Sequence, residues 1–93
     1  MIDGAVWEPD DVALISETID QHPDEPVNYL LRGEAWLSAG EPERAASDFE
    51  IAQELAARRL SHSAWGYIEQ AYLDRAMAGL AECGRLLHLN DRL

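Results

Sequence analysis

Ninety-three residues suffice for one domain with a modest core. The chain is rich in Ala, Leu and Glu and has few β-branched residues, which favours helices and speaks against a sheet. A net charge of −11, from eighteen acids against seven arginines and no lysine, repels phosphate backbones and anionic lipid, so nucleic acid and a membrane surface are poor partners.

The first predicted element is a helix over residues 9–21. Pro9 suits a first helical turn, and Asp10 and Asp11 complement the positive end of the helix dipole. Val12, Ile15 and Ile19 recur at helical spacing and form one apolar stripe, which Pro23 and Pro26 close. Residues 1–31 hold eight acids (Asp3, Glu8, Asp10, Asp11, Glu17, Asp20, Asp24 and Glu25) and no base, so this end of the chain favours a basic or neutral protein surface. Trp7, just before the helix, reads equally as a staple on it and as an anchor for a partner.

A helical hairpin is expected next, with helices near Val27–Ala39 and Pro42–Leu60. Tyr29, Gly33 and Trp36 stand four and three residues apart and share one helix face. Ala45, Phe49 and Ala52 do the same on the second helix. Gly33 and the alanines allow close approach of the backbones, and Tyr29, Trp36 and Phe49 fill the gaps. Gly40-Glu41-Pro42 reads as a stop and a restart, since Gly suits the end of one helix and Pro the first turn of the next.

This large–small–aromatic, Ala–aromatic–Ala spacing, together with the Gly40 turn, resembles a tetratricopeptide repeat of about 34 residues, and the chain resembles a small bacterial protein of that family. It departs from the family pattern at Arg32, where an aliphatic residue is usual, and at Ala57, where Pro is usual. Without that Pro, the run Ala56-Ala57-Arg58-Arg59-Leu60 extends the second helix by a turn, and Ser61-His62-Ser63 breaks it and offers a cap for the next helix. One repeat length before Phe49 and Ala52 stand Ile15 and Thr18, so residues 9–21 resemble the second helix of a degenerate half repeat.

The last segment, 62–88, opens like another repeat with Trp65, Ile68, Ala71 and Tyr72, then Ala81, but has no Gly-x-Pro turn. One long capping helix from about Ser63 to Leu87 is expected. A pair of helices broken near Gly79 is the alternative. Residues 1–7 and 89–93 are expected to be loose, and Trp65 is expected in the core. The fold class is therefore all-α. A single domain over 1–93 holds one complete repeat hairpin at 26–60, flanked by degenerate halves in an α-α superhelix.

No catalytic or cofactor pattern emerges. His22, His62, His88 and Cys83 have no metal-ligand spacing. Cys83 sits among Ala and Leu and reads as a small buried residue. The acid pairs lie at helix ends, and no phosphate loop or dinucleotide fingerprint is present. The single Cys fits a reducing compartment, no apolar run approaches the ~20 residues that span a bilayer, and the N-terminus lacks a secretory pattern, so a cytoplasmic, non-enzymatic protein without a cofactor is expected.

By the resemblance, the first helices of successive repeats line a groove. That places Val27, Leu30, Glu34 and Leu37, with Gln70 and Leu73 of the last segment, on a partner-binding surface; Ser63 and Gly66 occupy the remaining equivalent places. The family members that clamp a C-terminal carboxylate of a chaperone use Lys and Asn there. This chain has Glu34 in place of that Asn and no Lys, so an apolar segment or amphipathic helix suits the groove better. The implied function is protein–protein interaction, as an adaptor or assembly factor. A structural homodimer through the last helix and a small chaperone for a secretion or redox substrate are the rivals.

Overall fold

The computed structural model describes residues 9–62 and 66–91, the side chains of 9, 10 and 89–91 aside. Within them the chain is all-α: α1 (Pro9–Gln21), α2 (Pro26–Ser38), α3 (Pro42–Leu60) and α4 (Tyr67–Asp91), with no strand. Trp7, Ser63 and Trp65 lie outside the described residues.

Proline opens α1, α2 and α3, where its fixed φ is already helical and its missing N–H would have had no partner. α2 ends in a Schellman closure: the Gly40 N–H donates to the Leu37 carbonyl at 3.0 Å and the Glu41 N–H to the Trp36 carbonyl at 2.8 Å. Gly40 takes φ +77°, the left-handed conformation this closure requires. Gly66, at φ +68°, turns the chain into α4, and a β-carbon there would stand 2.5 Å from Leu60 Cδ1. The left-handed conformation demands glycine at that corner, and a larger residue would also have to move the end of the Leu60 side chain. α4 accordingly starts at Tyr67 rather than Ser63. It is one unbroken helix and continues to Asp91, past the expected end at Leu87.

Paired residues give the directions. Arg32 meets Asp48, Phe49 lies against Gly33, and Glu25 meets Arg59, so α2 and α3 run antiparallel about the Gly40 turn. Phe49 also lies against Gly79, and Leu60 against Gly66, so α4 returns along α3. Ser16 meets Arg32, and the Tyr29 hydroxyl donates to the Pro23 carbonyl at 2.8 Å, so α1 folds back on α2. α3 packs against both α2 and α4, α2 and α4 also touch, and among the described helices α1 packs on α2 alone.

The core centres on Phe49, which is fully buried. A β-carbon at Gly33 would lie 2.8 Å from its ring and one at Gly79 2.5 Å, so the ring is held between two bare backbones. Full burial of such a ring contributes about 1.5–3 kcal/mol. Gly79 is thus a point of close approach and not a break. A mid-helix glycine costs roughly 1 kcal/mol in propensity, and the contact with Phe49 offsets it. Leu30, Ala45, Ala52, Ala76 and Cys83 complete the centre, with Ile19 and Tyr29 toward α1. Trp36, expected in the core, only leans on its edge, and the Arg44 guanidinium lies 4.9 Å from its ring centroid.

The departure at Arg32 has a physical reason. Asp48 is 3% exposed, and Arg32 grips it with two bonds of 2.8 Å, Nε to Oδ2 and Nη2 to Oδ1. Its Nη1 donates to Ser16 Oγ at 3.0 Å, so one side chain ties α1, α2 and α3 together. The hydrogen bond to Asp48 raises the Arg32 pKa against the opposing effect of burial. No buried side-chain nitrogen or oxygen among the described residues lacks a partner.

Candidate protein-binding surface

α2 and α4 lie side by side and run in the same direction, joined by Glu34 and Arg75. The Arg75 guanidinium donates through Nη2 to both Glu34 oxygens, at 2.8 and 3.0 Å, and through Nε at 3.3 Å. Both side chains are about two-fifths exposed (43% and 36%), so solvent screens the pair and it adds at most ~1 kcal/mol. An exposed pair of this kind can exchange partners at little cost.

Two stripes flank it. On α2, Val27, Leu31, Glu34 and Ser38 recur at intervals of four, three and four and share one face. On α4, Tyr67, Ala71, Arg75, Ala78 and Glu82 do the same. Val27 and Leu31 are half-buried, whereas Tyr67, Ala71 and Ala78 are exposed. Ile68, 61% exposed, stands two turns before Arg75, at the level that Val27 holds before Glu34. The result is a shallow apolar strip at the N-terminal ends of α2 and α4, with small alanines along α4 and a charged pair at its middle. On the same α4 face Arg85 bonds Glu82 and holds that carboxyl below the usual carboxylate range.

Only part of the expected surface comes together here. Val27 and Glu34 are on the strip. Leu30 is fully buried beneath it and Leu37 packs against the core, because α4 and α3 cover the side of α2 that these two face. Leu73 stands two residues before Arg75, about 200° round the helix, and Gln70 about 140° round, so both lie on another side of α4. Gln70 is exposed and donates to Asp74 at 3.1 Å. Gly66 is in the corner before the helix. Glu34 thus meets Arg75, forty-one residues on, and not Gln70, its counterpart by repeat spacing, so Gln70 and Leu73 fall off the strip. Sequence reasoning does not single out Leu31, Arg75, Tyr67, Ala71 or Ala78 for this surface. The Val27–Leu31–Glu34–Ser38 periodicity is the available signal for Leu31.

Elsewhere, Cys83 is buried, and desolvation with the nearby Glu82 charge pushes its thiol pKa up, away from reactivity. Among the described residues no group of three or more His, Cys, Asp or Glu side chains is placed to hold a metal ion. No described helix is long and apolar enough to cross a membrane. No family model matches the chain, and no curated protein or solved structure matches it.

Proposed function

We propose that this chain is a non-catalytic, tetratricopeptide-like interaction module of the cytoplasm, an adaptor or assembly factor that takes an apolar or amphipathic helical segment of another protein across α2 and α4. The observation that carries the reading is the strip itself: half-buried Val27 and Leu31, exposed Ile68, Ala71 and Ala78, and an exchangeable ion pair between them. An amphipathic helix would lay its apolar face on the alanines and leucine. A cation on that helix would compete with Arg75 for Glu34, which suits a chain of net charge −11. The repeat reading draws support from the arrangement of α2 and α4, alongside each other with α3 behind both, as first helices of successive repeats are arranged.

The test is retention of partner proteins from a cytoplasmic extract by the chain and by a Val27→Glu, Leu31→Glu variant, with helical content checked by circular dichroism. A protein retained by the parent and lost by the folded variant supports the strip. Retention by both moves the site elsewhere. Charges at Leu30 and Leu37 would not serve, because Leu30 is in the core and its loss would unfold the chain.

A further inference from the structure

α4 carries a second apolar stripe that the described helices cover only along one edge, where Leu80 packs against the core. Its core-facing side is Tyr72, Ala76, Gly79 and Cys83, against α3. Roughly 100° further round stand Gln70, Leu73, Met77, Leu80, Gly84 and Leu87. Their intervals are three, four, three, four and three, the a/d spacing of a coiled-coil seam. Leu73, Leu80 and Leu87 are half-buried along its edge, and Met77 is 55% exposed. A β-carbon built on Gly84 meets nothing within 4 Å, unlike those on Gly33 and Gly79. Among the described residues, the glycine that costs helix propensity here therefore gains no close contact, and it leaves a notch on the seam.

We infer that this seam is where a second copy of the chain docks, α4 against α4, antiparallel about a two-fold axis between Met77 and Leu80. In antiparallel pairing each a residue meets a d residue of the other helix. Met77 then packs on the partner subunit's Leu80, and Leu73 fills the notch over the partner subunit's Gly84. Gln70 meets the partner subunit's Leu87. The stripe is thus its own complement, a large side chain opposite the notch twice over, as an isologous interface requires. Charge selects the direction. Parallel pairing would set Glu69 against the partner subunit's Asp74 on both flanks, two like-charge contacts. Antiparallel pairing sets Asp74 beside the partner subunit's Ala81 instead. The seam lies on the side of α4 away from Glu34 and Arg75, so the dimer leaves the α2–α4 strip open and does not depend on the function proposed for it.

Sedimentation equilibrium of the intact chain, from low micromolar to near-millimolar concentration, tests this. The expected result is a monomer–dimer equilibrium. Met77→Glu and Gly84→Leu should each raise the dissociation constant by roughly tenfold or more, while the melting temperature of the dilute chain stays level or rises. Register is tested by mild oxidation of variants in a Cys83→Ala background: Leu73→Cys with Gly84→Cys should give a covalent dimer, and Leu73→Cys alone should not. A single-chain mass at every concentration, or a dimer unaffected by both seam variants, overturns the interface. Cross-linking of Leu73→Cys alone overturns the antiparallel register.

Discussion

Among the described helices α1 rests on a single neighbour, α2, whereas α3 is held on two sides, by α2 and by α4. The two regions also use different chemistry. α3 presents Phe49 to glycines on both neighbours, so its central contact is apolar and shared by three helices. α1 is held by Ile15 and Ile19 and by the Arg32–Ser16 bond, itself anchored on Asp48. A helix with one neighbour can open locally, at a free energy below that of global unfolding; the central helix of a trio cannot move without the others. The contrast predicts that this chain does not unfold as one uniformly cooperative unit. α1 is the helix whose hold combines two apolar side chains with a polar bond.

Four sets of substitutions test how far α1 and the other helices differ in stability. Phe49→Ala strikes the shared contact and should cost about 3–5 kcal/mol, a large share of the stability of a small domain. Urea titration should then show the trio losing its helical signal as one unit; a midpoint close to that of the parent would mean Phe49 is not the keystone. Asp48→Ala should cost about 2–3 kcal/mol, because it leaves Arg32 partly buried without its anion; the residual solvent at Arg32, 23% exposed, brings the loss below the ~3–5 kcal/mol of a fully buried pair. Hydrogen exchange in this variant should quicken first in α1, through Ser16. Uniform quickening would show that Asp48 serves the trio alone.

Ile19→Ala should loosen α1 by about 2 kcal/mol, seen as faster exchange over 9–21 with little change in the melting of the trio. A matching fall in global stability would show that α1 belongs to the cooperative unit. The smallest effect compares two glycines of α4. Gly79→Ala puts a β-carbon into the Phe49 ring, and overpacking should outweigh the propensity gain, for a net loss of about 1–2 kcal/mol. Gly84→Ala meets open space and should stabilise the dilute chain by roughly 0.5–1 kcal/mol. Equal effects in thermal melts would remove the distinction between the two sites.

Much of this architecture is local and legible in the sequence. The all-helical class, the limits of α1 and α3 and the stop at Gly40 stem from proline at first turns, a left-handed glycine and apolar spacing, which act within a few residues of themselves. The burial of Tyr29, Gly33, Ala45, Phe49 and Ala52 is legible for the same reason. The spacing of Trp36 matches that of Tyr29 and Gly33 and predicts a core position that the fold does not give it. Position on the wheel says which way a side chain points, but not where the next helix ends its cover, and Trp36 stays half-buried under Arg44.

Tertiary structure decided the rest, since it depends on how far one helix slides and turns against another. In sequence Arg32 is a flaw in a repeat; in the fold Asp48 comes beside it from sixteen residues away. In sequence Gly79 is a candidate hinge; in the fold the Phe49 ring lies against it. Leu30 and Leu37 are off the α2–α4 strip because α3 and α4 cover the side of α2 that they face, and Gln70 and Leu73 are on another side of α4 from Arg75, the residue that meets Glu34. Sequence periodicity carries the faces of each helix by itself, because side chains repeat about every 3.6 residues whatever surrounds them. It does not carry the register between helices. That offset is a sum of small steric and ionic preferences across the interface, and only the packed chain resolves it.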